Sequence, residues 1–561
     1  MKAFHAVHKH YALLFVAALL SVSPLVVSLS PEPFRHAGGD IWFYLVWIRC
    51  FSEQFWAGDL YPRWCMDVNG GLGTPLFLFY FPLPFYIAAL LYPLTQLGLG
   101  MYGLFVLLSW LAGFFAACGC FSWLKDIVRP PYALLASVLF LFLPYHLEMV
   151  FFRGAYAEMW CVGLVPLLFK YTRRLSRGEG GVLPLALVTG LLLLTHVPVA
   201  AESLLFSGAY LLAMTGSGWK AKLQYGLAVA WGVAMTAFYL VPGAYYRQFL
   251  AGSDLANGLY GWPNNYFIMD TFLKMRGLER PLIATLLNIL LLFGFTLAVL
   301  VKYRRIGDIF IRREALLWAA LAALALFLLF PASAPLYALL GPLSKLVFPW
   351  RMQMIVMLGT AYLAAVWMQW QCVPRKTWKT DFSLALFLLL VVGNFLTSTY
   401  SQKSEALNET IREAKIIFAP EYRSLWTDKE HWEYEYLLAQ SGRNDPKAVF
   451  VTGVGTIAVR QWDWRGLILD VASKEPATLR LRQSYFPLWQ ARLDTGEAAA
   501  LHPEDRTGLM LLDMPAGRHE VKVKPELAGG PWFLLASQWV SLAATLALLL
   551  VKIFDIRRRR C

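Results

Sequence analysis

Four short stretches of this chain set ionisable groups against long apolar runs, and their side-chain types suit group transfer involving a phosphate. Asp40 follows Gly38-Gly39, about ten residues beyond the first apolar segment. A carboxylate at a wet membrane edge is a candidate general base; a solvated turn residue or a helix N-cap for Ile41 onward is the plain alternative. Tyr145-His146-Leu147-Glu148 and Arg153-Gly154-Ala155-Tyr156-Ala157-Glu158 crowd His146, Glu148, Arg153 and Glu158 at one helix end. Such groups are functional candidates near a membrane span, or else salt bridges that orient two helices. His196, in Thr195-His196-Val197-Pro198, is either a site residue or a packed turn histidine. Arg351, in Phe348-Pro349-Trp350-Arg351, suits a phosphate at headgroup depth because a guanidinium stays charged and bonds bidentately. Snorkelling to lipid headgroups is the alternative.

These groups need a membrane scaffold. The chain has 561 residues, of which 58% are hydrophobic and 15% charged, with a mean hydropathy of +0.51. That composition is polytopic. The net charge of +14 sits in short basic clusters and in Arg557-Arg558-Arg559-Arg560, which is positive-inside patterning rather than a nucleic-acid footprint. The first apolar stretch, Tyr11 to Leu29, lacks a small-residue cleavage site and reads as an uncleaved helix. Further apolar segments fall at 76–97, 101–124, 132–151, 158–172, 182–197, 199–216, 223–241, 281–301, 314–332, 350–370, 380–397 and 532–552. If 76–97 crosses, the cluster Lys170/Arg173/Arg174/Arg177 and most later ones land outside. If it does not, all fall inside together. Its prolines, Pro75, Pro82, Pro84 and Pro93, also suit a re-entrant or surface-lying segment.

The expected architecture is therefore a mainly α membrane protein of about twelve transmembrane helices plus one re-entrant or juxtamembrane segment. Both termini are cytoplasmic, in the inner membrane. A transmembrane module spans 1–397 and carries a first outer loop at 30–100. A soluble extracytoplasmic domain follows at 398–531, and 532–561 forms the last helix and a basic tail. In 398–531 strand-like runs appear at 448–459, 467–472, 478–482 and 519–523 after a helical lead-in at 404–416, so a small β-sandwich-like domain is expected. Asn408-Glu409-Thr410 matches a glycosylation sequon that chance explains. Cys50 and Cys65 share the outer loop and could pair in an oxidising compartment, whereas the cysteines show no metal spacing. Phosphate-loop, dinucleotide, zinc and nucleophile-elbow motifs are absent from the sequence.

The run Gly38-Gly39-Asp40, Leu60-Tyr61-Pro62-Arg63-Trp64, Asn69-Gly70-Gly71-Leu72-Gly73-Thr74-Pro75 and Tyr80-Phe81-Pro82-Leu83-Pro84 resembles a family of bacterial polytopic membrane proteins. That family is labelled "6-pyruvoyl-tetrahydropterin synthase-related". Arg153 to Glu158, Thr195 to Pro198 and Phe348 to Arg351 fit its pattern, although Gly39 stands where the family commonly has a histidine. The zinc histidines of a soluble pterin synthase are absent, so no pterin chemistry is implied. Such proteins are similar to the GT-C glycosyltransferases, whose acids in the outer loops act on polyprenyl-phosphate sugars. The resemblance implies a GT-C-like bundle in the cell envelope that transfers a sugar, with inversion, from a polyprenyl-phosphate donor to a glycan, lipid or protein acceptor.

By the same resemblance Asp40 is the base, with Glu158 or else Glu148 the second acid. Arg351 would hold the leaving phosphate, with Arg153 or Arg63 assisting and His196 and His146 nearby. Tyr61, Trp64 and Asn69 of the first loop would contact the sugar. Glu158 would orient the acceptor or hold a divalent cation. Two non-enzymatic readings stand beside this one: a lipid or glycolipid transporter of flippase type, which needs ionisable groups deep in several helices, and a membrane scaffold presenting 398–531.

Overall fold

An apolar run in lipid must satisfy its backbone groups internally, so it coils. Where proline removes a donor, the coil breaks. The computed structural model describes residues 2–27, 40–214, 218–251, 279–339, 341, 348–370, 418–440, 445–526 and 530–558. The expected span at 380–397, the lead-in at 404–416, the sequon at Asn408, and Gly38 and Gly39 lie outside the described residues.

The helices follow the apolar runs. In chain order they are α1 (Lys2–Val27), α2 (Ile41–Trp56), α3 (Leu76–Phe79), α4 (Pro82–Leu91), α5 (Gly100–Leu124), α6 (Pro130–Leu141), α7 (Pro144–Leu147), α8 (Tyr156–Ser176) and α9 (Val182–Thr195). Then come α10 (Val197–Ala213), α11 (Trp219–Met235), α12 (Ala237–Tyr246), α13 (Glu279–Val301), α14 (Ile309–Phe327), α15 (Ala334–Leu339), α16 (Gln353–Trp370), α17 (Lys429–Gln440) and α18 (Trp532–Arg558). The protein is mostly helical with a C-terminal β-sheet domain. Among the described residues, three helices are long and apolar enough to cross a membrane, or up to six spans if each bent pair counts as one. Others of the expected crossings fall on shorter apolar helices such as Val182–Thr195 and Val197–Ala213. The proline-rich stretch at 76–97 gives only the short α3 and α4, followed by a 3-10 turn at Tyr92–Thr95.

The chain divides into two compact units. The first comprises Met1–Ile41, Leu94–Val233 and Gly258–Asn408. Its centre is the contact of α5 with α8. A Cβ on Gly119 would collide with the Gly163 carbonyl, and one on Gly163 with the Phe115 ring. Small residues therefore let the two backbones close up, as membrane helix pairs do in the absence of a hydrophobic drive. Trp123, Phe169, Trp318 and Tyr362 pack ring against ring beneath that contact.

The second unit comprises Trp42–Pro93, Ala234–Asn257 and Glu409–Cys561. Its β domain holds two antiparallel sheets. One has the order β1-β4-β8-β7 (Ala448–Thr452, Ala477–Ser484, Leu509–Met514, Leu501–Pro503). The other runs β2-β3-β9-β5-β6 (Gly455–Asp463, Gly466–Ser473, Gly517–Pro525, Trp489–Leu493, Ala498–Ala499). Alternate residues of each sheet share one core: Leu467, Leu469, Val471, Val521 and Val523 with Leu479, Leu481, Met510, Leu512 and Met514. That is a β-sandwich, as expected from the alternation. Strands β5 to β8 were not among the expected ones. Two of them are very short, and Leu509-Met510-Leu511-Leu512 is a continuous apolar run that carries no period of two. Cys50 and Cys65 are disulfide-bonded, which ties α2 to the segment after it.

A valine at Gly119 must push α5 off α8. Gly119→Val is expected to destabilise the first unit by about 1–3 kcal/mol, the usual cost of overpacking. Thermal unfolding of the detergent-solubilised full chain would read it, and an unchanged midpoint would contradict the close contact.

Candidate functional site

The charged residues of the first unit converge where the helix broken before Pro144 bends by 45°. Leu143 is extended (φ −63°, ψ 139°), as the residue before proline must be, and α7 starts at Pro144. A π-helical turn, Glu148–Arg153, follows and ends at Gly154 in the left-handed region (φ 58°). A side chain is disfavoured there twice over, by the backbone angle and because a Cβ would stand 2.9 Å from Ile41 Cβ. This close approach lets the Asp40 amide donate to the Arg153 carbonyl at 2.7 Å. The first-loop acid is thereby fixed beside the turn that precedes α8.

Glu158 lies in the first turn of α8, where the helix dipole favours an anion. Both of its oxygens are engaged. Arg153 Nη2 donates to Oε2 at 2.7 Å and the Tyr145 hydroxyl donates to Oε1 at 2.7 Å. Arg351 Nε stands 3.8 Å from Oε1, an ion-pair distance rather than a hydrogen bond. Glu158 is 2% exposed. Arg351 sits in the 3-10 turn Pro349–Met352 that leads into α16. Its guanidinium lies over the Phe348 ring at 4.6 Å, and Phe348 stacks on Trp350. The Arg153 guanidinium lies 5.7 Å from the Trp350 centroid. Among the described residues, Nη1 of Arg153 and Nη1 of Arg351 are buried without a hydrogen-bond partner. Buried guanidinium N–H groups left open are an anion-binding feature.

Asp40 differs from Glu158. Its surface is exposed, yet the protein surrounding its carboxyl pushes the pKa above the ordinary aspartate value. Arg153 opposes that rise, Glu158 adds to it and Arg351 opposes it again. Because the side chain is open to solvent, the exposure limits how far the shift can go. Glu148, half-buried in the π turn, has Oε2 without a partner among the described residues. His196 caps α10: its backbone is extended, and Nδ1 accepts from the Val199 amide at 3.2 Å, so the neutral ring carries its proton on Nε2. It lies within electrostatic reach of Glu158, Arg351 and Arg153.

His146 is fully buried, with its Nε2 near the position a Gly113 Cβ would take, and neither ring nitrogen has a partner among the described residues. Tyr61, Arg63, Trp64 and Asn69 belong to the second unit. There Trp64 packs against Trp489 at 5.2 Å and joins the β-domain core. Asn69 Oδ1 accepts from the Ala419 amide at 2.9 Å, and Arg63 lies over the Tyr61 ring at 4.7 Å. Among the described residues, no group of three or more His, Cys, Asp or Glu side chains is arranged to hold a metal ion.

Sequence reading missed three participants. The Tyr145 hydroxyl is one. Glu202, on α10 and 1% exposed, is another, and both its oxygens lack a partner among the described residues. A lone glutamate inside Val199-Ala200-Ala201-Glu202-Ser203-Leu204 was signal enough, because an ionisable residue in an apolar helix is functional by default. The third is Glu314, fully buried, which takes Arg173 Nε at 3.0 Å and the Tyr210 hydroxyl at 2.6 Å. Arg173 is fifteen residues along α8 from Glu158, or about 22 Å at 1.5 Å per residue.

A family described as "6-pyruvoyl-tetrahydropterin synthase related domain; membrane protein" matches residues 77–404, more than half of the chain. Solved structures similar to it include the arabinofuranosyltransferase AftD from Mycobacteria, at 14% identity and TM-score 0.39, over 70% of this chain and 27% of that one. Another is the archaeal oligosaccharyltransferase AglB from Archaeoglobus fulgidus, solved with an inhibitory peptide and a dolichol-phosphate, at 13% identity and TM-score 0.32, over 76% of this chain and 57% of that one. The chain thus spans less than two thirds of either, and at these scores neither likeness carries an argument about function. No curated protein matches the sequence.

Breaking the cluster from its two sides should give unequal effects. Glu158→Ala leaves two buried guanidinium groups uncompensated and is expected to cost about 3–5 kcal/mol. Tyr145→Phe removes one hydrogen bond to a charged group and is expected to cost about 1.5–3 kcal/mol. Thermal unfolding of both variants checks the order. Equal, small losses would show that Glu158 is not the hub.

Proposed function

The chain belongs to the 6-pyruvoyl-tetrahydropterin synthase related family of membrane proteins, and from that premise we propose that it is a membrane glycosyltransferase. It transfers a sugar from a polyprenyl-phosphate donor to a glycan, lipid or protein acceptor on the outer face of the cytoplasmic membrane. One observation carries this reading. Beside the open carboxylate of Asp40, Arg153 and Arg351 keep buried N–H groups unused while Glu158 holds Arg153 in place.

In the reaction, Asp40 accepts the proton of an acceptor hydroxyl as that oxygen attacks the anomeric carbon. The bond from the anomeric carbon to the phosphate oxygen breaks, and the electron pair leaves with the lipid phosphate. Configuration inverts. Arg351 and Arg153 stabilise the phosphate with donors already oriented before the reaction. Glu158 is a positioning residue here, because its oxygens are already taken by Arg153 and Tyr145.

The same reading includes about twelve crossings with both termini cytoplasmic and Asp40 outside. The Cys50–Cys65 disulfide supports an oxidising, extracytoplasmic location for α2 and its loop. The transporter alternative gains one supporting observation, the ion pair of Arg173 with Glu314 far along α8 from Glu158. Chemistry separates the two readings, since transport requires no base at Asp40.

Asp40→Asn is expected to lower transfer by about 10²–10⁴-fold, the usual contribution of a general base, with membrane expression preserved. Mass spectrometry of surface glycans, compared with a deletion strain, tests it. Wild-type glycans from Asp40→Asn beside a lost sugar in the deletion strain would remove Asp40 as base. The base must be ionised, and the folded pKa of Asp40 is raised. Activity is therefore present above that pKa and lost as pH falls through it, so the acid limb of the rate profile should sit above the ordinary aspartate range near 3.9 and vanish in Asp40→Asn. For orientation, a cysteine placed at the exposed Gly98 should react with an impermeant thiol reagent added from outside. Labelling from the cytoplasmic side alone would make 76–97 a crossing.

A further inference from the structure

Glu202 is the carboxylate of the site with both oxygens buried and without a hydrogen-bond partner among the described residues. It lies in α10 six residues past His196, nearly two turns along the helix, and is 1% exposed. Ordinary packing does not explain it, because a carboxylate buried without donors is costly unless something supplies them. Its charged surroundings are the site itself, Glu158 and Arg351. Those neighbours narrow what Glu202 can receive. A metal ion lacks companions, since no third ligating side chain converges among the described residues. An organic cation would be repelled by Arg351. Sugar hydroxyls fit, because each can donate and accept and so can pair with a buried carboxyl whether or not it carries a proton.

Resting on the glycosyltransferase reading above, we infer that Glu202 recognises the sugar of the lipid-phosphate donor, accepting hydrogen bonds from its ring hydroxyls while Arg153 and Arg351 hold the phosphate. The two subsites divide the donor by chemistry. Guanidinium groups take the charged, sugar-independent part, and Glu202 takes the part that differs between one sugar and another. A site built to bond hydroxyls discriminates strongly, since a donor lacking them leaves the buried carboxylate unpaired. Glu202 is then a specificity determinant and has no part in proton transfer.

The test uses the purified full-length chain in lipid nanodiscs with two kinds of probe: bare polyprenyl phosphate, and polyprenyl phosphates carrying different hexoses and pentoses. Wild type is expected to bind at least one glycosylated lipid about tenfold or more tighter than the bare lipid phosphate, the return from one or two charged hydrogen bonds. Glu202→Leu should erase that preference and leave bare lipid-phosphate affinity within about twofold. Glu202→Gln, which keeps one acceptor oxygen, should retain part of the preference, and it decides the matter if the leucine variant does not reach the membrane. A preference kept in full by Glu202→Gln and Glu202→Leu, or a wild type that binds bare and glycosylated lipids equally, overturns the assignment of Glu202 alone. A wild type that binds no lipid phosphate, or one whose binding survives Arg351→Ala unchanged, overturns the donor reading on which it rests.

Discussion

The buried ion pair between Arg153 and Glu158 is the interaction on which the rest of this end of the helical unit depends. A charge at 2% exposure inside an apolar bundle is tolerated only with close, well-formed partners. The local backbone is arranged to give them. Pro144 ends one helix, the π turn brings Arg153 round, Gly154 admits Ile41, and α8 opens with Glu158 in its first turn. Each departure from regular helix in this stretch moves a donor towards the same carboxylate. A plain helical hairpin would have needed none of them, and its charges would have faced solvent at lower cost.

The same arrangement separates two acids that look alike in sequence. Glu158 is saturated with donors, whereas Asp40 keeps an exposed carboxyl whose pKa is raised by the protein around it and only partly restored by Arg153 and Arg351. Paired carboxylates pushed into different environments are the usual way to divide labour between acids in a site. Asp40 is attached through its own amide to the carbonyl of Arg153. The position of the open acid is thus tied to the residue that neutralises the closed one.

Much of this was legible from residue types alone. Asp40, Arg153, Glu158, His196 and Arg351 were all named from their place at apolar boundaries, and they meet. The β-sandwich was legible where apolar and polar residues alternate, as in β3, and illegible at β8, where four apolar residues run together. The resemblance alone assigns Trp64 and Asn69 to the sugar; in the structure Trp64 packs on Trp489 and Asn69 bonds Ala419. Sequence could not foresee that partner, since Trp64 and Trp489 are more than four hundred residues apart. Glu202 was overlooked for the opposite reason. Its neighbours are mostly apolar, so the segment reads as an ordinary span.

An internal comparison separates what is structural in these ion pairs from what is functional. Helix α8 carries an Arg–Glu–Tyr set at each end, with Arg153, Glu158 and Tyr145 at one and Arg173, Glu314 and Tyr210 at the other. In the second set Arg173 gives Nε to both oxygens of Glu314 and Nη1 to the Asp126 carbonyl, and no buried polar atom of the three residues lacks a partner. That set is closed, as a helix-orienting network should be. The first set uses the same three residue types but leaves Arg153 Nη1 open, with Arg351 Nη1 and the oxygens of Glu202 open alongside it. Among the described residues, the atoms left open near the second set are the neutral Tyr362 hydroxyl and Trp318 Nε1, whereas those near the first include atoms of ionisable groups. The Glu158 end is the one that leaves charged groups open, and under the function proposed above these would take a phosphate joined to a polyol.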